Sequence, residues 1–150
     1  MDALRVLSLN CHGFNYSTAV YVGRVCAEYN VDAVSLQETW LSDASSHVIA
    51  EWLPDYTVFH SLSMEDKLSL GILTGRPFGG TAVLVHKRLA KCCRKICTST
   101  RRLTAVACYL SNKCDVVFGS VNMPYDSGCV DYLLDFEHVA GGLDLVALVH

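Results

Sequence analysis

No stretch of the sequence stays apolar for the roughly 18 residues that a membrane-crossing helix requires, so no span is expected. A secretory leader is also missing. Met-Asp-Ala-Leu-Arg runs directly into a strand pattern, and the expected location is intracellular, in nucleus or cytoplasm, rather than secreted. Charge is scarce, with Asp, Glu, Lys and Arg making up 18% of residues and a net charge of -3, so there is no basic tail of the kind that grips nucleic acid. Internal repeats, low-complexity tracts and linkers are absent, which leaves residues 1–150 as one unit. What is abundant is apolar residue, 51% of the chain, which excludes a disordered polymer. High apolar content with little charge fits strands buried on both faces in a layered α/β protein.

The eight cysteines raise the possibility of a disulfide scaffold. Without a leader, and with Cys26, Cys93, Cys97, Cys108 and Cys129 inside apolar strand or helix patterns, they are expected to be reduced packing residues. Cys92, Cys93 and Cys97 lack CxxC spacing, and His86 completes no zinc pattern. Positive charge gathers at Lys87–Arg88, Lys91, Arg94–Lys95 and Arg101–Arg102. These are either phosphate-facing patches or the solvated face of an edge strand and its loops.

Leu4 to Asn10 alternates as a first strand, and Gly13 breaks the turn that follows. Thr18 to Tyr29 reads as a helix capped by Ser17, with Val22, Val25, Cys26 and Tyr29 on one face and Asn30 at its end. Ala33 to Glu38 is a second strand. A strand, helix and strand in this span make a βαβ unit, so the two strands should run parallel. Asp43 to Trp52 reads as a helix stopped by Pro54, and Tyr56 to Leu62 as a strand. Residues 63–78 form a polar loop. Gly79-Gly80 lead into the buried strand TAVLVHK, and Cys92–Thr98, Leu103–Leu110 and Val116–Met123 follow as a meander. Asp126 to Val139 is expected to be a helix closed by Gly141-Gly142, with Leu143 to Val149 as a last strand.

Sites in α/β sheets form where strands end at their carboxyl side. Asn10 closes the first strand and Glu38 the second, and parallel pairing sets these tips side by side. One amide and one carboxylate there suit a hard cation such as Mg²⁺, which takes few protein oxygens and keeps water for a phosphate to displace. By itself the pattern is weak, since a glutamate at a strand end is usually a solvated loop residue.

Longer strings narrow the choice. LSLN, LQETWL, GRPFGGTAVLVHK and MPYD, in this order over nearly the whole chain, resemble the endonuclease/exonuclease/phosphatase superfamily. The nearest resemblance is to the endonuclease domain of non-LTR (LINE-type) retrotransposons, which precedes a reverse transcriptase. The resemblance implies a four-layer α/β/β/α sandwich of the DNase I-like kind with mixed sheets. It also implies a Mg²⁺- or Mn²⁺-dependent hydrolase that nicks DNA, with Glu38 as metal ligand and Asn10 lining the metal and phosphate site. Gln37 and Thr39 would support Glu38 from behind, although alternation along a strand points Gln37 to the sheet's other face. Trp40 is expected to pack, Arg76 lies in a loop able to reach a phosphate, and His12 and His60 are read as hydrogen-bonded residues rather than catalysts.

The chain departs from that pattern twice. Asn122, in VNMPYD, stands where relatives carry a tyrosine that contacts the phosphate, and an amide lacks the phenol's reach and acidity. Relatives also continue from a strand like LDLVALV into Gly-Asp-Phe-Asn and later Ser-Asp-His, which supply the general base and a phosphate-polarising histidine. The sequence reaches His150 before either motif, and Asp144 and His150 lack their spacing. The expectation is therefore a partial domain, truncated in its C-terminal portion, that is inactive alone or needs a C-terminal remainder as partner, beside DNA and a reverse transcriptase. Its inner sheet face would lie open as an apolar patch. A phosphatase of the same superfamily and a non-catalytic nucleic-acid- or metal-binding remnant remain the alternatives.

Overall fold

A computed structural model describes residues 3–62, 70–71, 79–111, 114–123, 137 and 139–143. Strand β1 (Val6–Asn10) leads through a turn into helix α1 (Tyr16–Tyr29), strand β2 (Ala33–Gln37) and helix α2 (His47–Trp52). Strands β3 (Tyr56–Ser61) and β4 (Thr81–His86) follow, then a one-turn helix α3 (Lys87–Ala90), and the meander β5 (Cys93–Ile96), β6 (Leu103–Ser111) and β7 (Cys114–Val121).

The first sheet has the order β1-β2-β4-β3. β1 and β2 are parallel, as a βαβ unit requires, and β4 is antiparallel to both of its neighbours. The second sheet is the antiparallel β5-β6-β7. Alternation along β2 and β4 divides the core in two. Val34, Leu36 and Leu84 pack with Val22 and Cys26 of α1 and Ile49 of α2. Ala33, Val83 and Val85 face the other way, against Val106, Cys108 and Phe118 of the second sheet. The result is a mixed α/β fold of two face-to-face sheets with helices on the outer face of the first. β2 and β4 are buried on both sides, which is where the low charge content is spent.

Helix α1 begins two residues earlier than the sequence pattern suggests. Asn15, not Ser17, is the cap, and its Oδ1 accepts from Thr18 N at 3.0 Å. The helix closes at Asn30 in the left-handed conformation, whose N–H bonds Cys26 O. The buried stripe is Ala19, Val22 and Cys26, while Tyr29 is exposed. Helix α2 starts only at His47. Ahead of it Ser42 and Ser45 exchange side-chain bonds with each other and with the backbone, and this local turn wins over helix. The strand expected through Lys87 stops at His86, whose ring accepts from Arg88 N to start α3. Residues 139–143 are helical, so Gly141-Gly142 do not close that helix and Leu143 does not open a strand. The rest of the expected final helix and strand lies outside the described residues.

Two further expectations are corrected. Cys93 and Cys108 are not reduced. They sit directly opposite each other on β5 and β6, with Cα atoms 4.2 Å apart, and form a disulfide. Cys26 is a free buried thiol and Cys97 a free exposed one, and Cys129 lies outside the described residues. Nor is the inner sheet face broadly open, because the second sheet covers β2 and β4. The open part is a groove of about 330 Å³ at the β1 flank, lined by Val6, Ala33, Val34, Val116 and Phe118. Among the described residues no helix is long and apolar enough to cross a membrane.

Candidate functional site

Asn10 is the register partner of Gln37, so Glu38 lies one residue beyond the neighbouring strand tip. The two loops that leave these tips are laced together by Cys11 N to Gln37 O, Gly13 N to Glu38 O and Phe14 N to Thr39 O, each 2.8 Å. Three residues of this lacing that are not glycine take left-handed backbone: His12 at φ 49°, Glu38 at φ 52° and Trp40 at φ 58°. Such conformations persist where the surroundings over-determine them, and they gather at functional sites.

His12 joins the two candidate ligands. Its backbone N–H donates to Asn10 Oδ1 at 3.0 Å, and its ring Nδ1 lies 3.2 Å from Glu38 Oε2. The His12 ring also stands 4.8 Å from that of Trp40, which seats on Gly13 as a packing residue. Asn10 is exposed and the Glu38 side chain is 32% exposed, so both side chains reach the surface. Below them the Cys11 thiol is pushed up to about 12, by burial first and by the negative charge of Glu38 second.

Gln37 points away from this surface. It donates to Ser35 Oγ at 2.8 Å and Ser120 Oγ at 3.2 Å, within a polar seam between the sheets. Ser35 Oγ donates to Gly119 O, Ser120 Oγ to Leu36 O, and the Thr81 and Thr104 hydroxyls pair at 2.8 Å. The seam fixes the end of β7 over the end of β2. Asn122 therefore stands at the same end of the molecule as Glu38, with its N–H on Arg102 O at 2.9 Å.

Thr39 is fully buried, and its Oγ1 lies 2.8 Å from His60 Nε2. Gly79 and Gly80, both left-handed, bring their carbonyls to Trp40 N and Thr39 N, and a Cβ on Gly80 would collide with the Thr39 hydroxyl. The entry glycines are thus structural, as the sequence indicates.

The basic patches do not form one surface. Arg88 binds Asp32 at 2.7 Å together with the Asn30 and Val31 carbonyls, at the far end of the first sheet. Arg94 covers the Tyr109 ring, and Lys95 Nζ donates to His60 O and Ser61 Oγ. Arg101 is paired with Asp43 at 2.9 Å. Arg76, Asp144 and His150 lie outside the described residues. His12 and His60 are hydrogen-bonded residues, as the sequence indicates, and only the identity of their partners was not legible there. Their partners are 26 and 21 positions away and carry no local signal.

Hard oxygens from Asn10 and Glu38 on one open surface fit a Mg²⁺- or Mn²⁺-type cation. Among the described residues no group of three or more His, Cys, Asp or Glu side chains is arranged to hold a metal.

Residues 7–132 match the profile of the Endonuclease/Exonuclease/phosphatase family. No curated protein matches the chain. Among solved structures it is similar to an AP endonuclease from Archaeoglobus fulgidus, with a TM-score of 0.58 and 14% identity over 94% of this chain and 51% of that one. It is similar to a variant of the 3′ phosphatase NExo from Neisseria bound to a product DNA hairpin, with a TM-score of 0.61 and 15% identity over 94% and 50%. It is also similar to D. rerio TDP2 complexed with a single-strand DNA product, with a TM-score of 0.53 and 15% identity over 91% and 52%. At these identities the likeness concerns the fold. The chain spans about half the length of each of these structures.

Proposed function

The chain belongs to the endonuclease/exonuclease/phosphatase family, and on that premise we propose that it is the N-terminal part of a Mg²⁺- or Mn²⁺-dependent endonuclease that nicks DNA, of the kind found in non-LTR retrotransposons. The observation that carries this reading is the junction of Asn10 and Glu38 through His12 at adjoining strand tips. Glu38 and Asn10 would hold the cation, and a bound cation would supply positive charge against the phosphate oxygens. The Asn122 amide, at the same end, donates a hydrogen bond to the phosphate. Arg101 adds long-range attraction for the backbone at the rim.

The general base and the phosphate-polarising histidine are assigned to a C-terminal remainder of the domain, with a reverse transcriptase beyond it. Domain 1–150 is in this reading a partial one, acting inside the cell in nucleus or cytoplasm. Half-length coverage of the similar structures supports it, as do two of those structures that hold DNA products. The likeness to a 3′ phosphatase supports a second reading, removal of a terminal phosphate from DNA.

The test is nicking of supercoiled plasmid with Mg²⁺ by the purified chain and by Glu38→Ala, alongside release of phosphate from a 3′-phosphorylated oligonucleotide. Nicking by the wild type that Glu38→Ala abolishes supports the proposal. Nicking that survives in Glu38→Ala removes the metal assignment. Phosphate release without nicking selects the phosphatase reading. DNA retention without either reaction points to a non-catalytic binding remnant.

A further inference from the structure

Behind Glu38 runs a chain of polar side chains from Thr39 through His60 and Asp43 to Arg101. The His60 side chain is 4% exposed and lies between Thr39 and Asp43. Its Nε2 is 2.8 Å from Thr39 Oγ1 and its Nδ1 3.4 Å from Asp43 Oδ1. The other Asp43 oxygen accepts from Arg101 Nη1 at 2.9 Å. The Asp43 carboxylate facing Nδ1 suits a ring proton on that nitrogen, and in that tautomer Nε2 accepts from the Thr39 hydroxyl. The order acid, imidazole, hydroxyl resembles that of a hydrolytic triad. Thr39, however, is 0% exposed, so its oxygen cannot reach a substrate.

The feature that gives the chain a purpose is the backbone it grips. Thr39 sits between Glu38 and Trp40, both left-handed. Main-chain bonds fix the peptides on either side of it, through Thr39 N to Gly80 O and Trp40 N to Gly79 O. The side-chain bond to His60 adds a hold on residue 39 from within the fold. His60 is in turn anchored on β3, where Lys95 of the second sheet holds its carbonyl and the neighbouring Ser61 hydroxyl.

We infer that His60 is a positioning residue: through Thr39 it holds the Glu38 carboxylate at the cation site, while Asp43 holds the other side of its ring. The inference rests on the reading of Glu38 and Asn10 as cation ligands. Residues that orient ligands from behind typically change metal affinity by roughly ten- to a hundredfold when removed.

The experiment is Mn²⁺ titration of the full chain, followed by electron paramagnetic resonance of the free ion, with a urea melt of every variant. The wild type is expected to bind one Mn²⁺ and Glu38→Ala to lose it. His60→Phe and Thr39→Val should each weaken binding about tenfold or more. Their double variant should be no weaker than the worse single, since both break one link. His60→Gln, which keeps an acceptor, should recover part of the loss. Thr39→Val removes only the hydroxyl and carries the same expectation if His60→Phe does not fold. Wild-type Mn²⁺ affinity in a folded His60→Phe or Thr39→Val overturns the inference while leaving the ligand assignment intact. Absence of Mn²⁺ binding by the wild type overturns the ligand assignment, and the inference with it.

Discussion

Replacing Gly80 with alanine tests whether the backbone at the candidate site is held as tightly as its contacts indicate. Gly80 has φ +88°, and its missing Cβ is the space into which the Thr39 hydroxyl fits. An alanine there carries left-handed strain of about 1–3 kcal/mol. It also pushes the hydroxyl off His60, forfeiting a neutral hydrogen bond of about 0.5–1.5 kcal/mol. The combined loss is roughly 1.5–4.5 kcal/mol, on the order of 10 °C in melting temperature for a chain of this size. Urea unfolding followed by tryptophan fluorescence reads it as a lower midpoint at unchanged slope. Gly71→Ala is the control, since Gly71 is also left-handed (φ +68°) but has nothing within 4 Å of its would-be Cβ, so it carries strain alone. Adding Thr39→Ala to Gly80→Ala removes the collision and should restore part of the stability, a coupling above about 0.5 kcal/mol. If Gly80→Ala cost no more than Gly71→Ala, or if the pair were simply additive, the close seating of Thr39 on Gly80 would be refuted.

Reduction of the Cys93–Cys108 bond, which spans 15 residues, should lower unfolding stability by about 3 kcal/mol, read from urea melts with and without reductant. Identical midpoints would argue against the bond. The Cys11 thiol, raised from 9.0 to about 12, should resist alkylation at pH 8.5 while exposed Cys92 reacts, and Glu38→Gln should quicken it by removing the smaller, charge-based cause. The same shift stabilises the fold fully below pH 9. The unfolded chain sheds this proton first, so stability should fall as pH rises from 9 towards 12, reinforced by the raised Cys26 and Tyr56 groups. A flat profile across that range would contradict the burial of Cys11. For Asp32, burial alone would raise the carboxyl, but the Arg5 amide and Arg88 guanidinium outweigh it and hold it low. Asp32→Asn should therefore lose roughly 1.5–3 kcal/mol at neutral pH. That difference should shrink as acid protonates the wild-type carboxyl, and a penalty that did not change with falling pH would show that charge is not its source.

The order of β1 to β7 with α1 and α2, the parallel pairing of β1 with β2 and the double burial of the central strands were legible in the sequence, whereas the short α3 was not. They follow from short-range periodicity, and the alternation that turned Gln37 away from Glu38 is of the same kind. That Asn10 and Glu38 lie side by side was legible because strand tips in a βαβ unit must adjoin. The insertion of β4 between β2 and β3 was decided only by tertiary pairing, as were the Cys93–Cys108 register and the partnerships of His12 with Glu38 and of His60 with Thr39 and Asp43. Each depends on segments distant in the chain meeting at hydrogen-bond range. Local propensity carries no information about such meetings, and packing of the two sheets and their helices imposes them. Helix starts fell between these limits: Asn15 won over the expected Ser17 cap, and the Ser42–Ser45 turn over the helical start expected at Asp43, by side-chain bonds whose geometry only the folded backbone supplies.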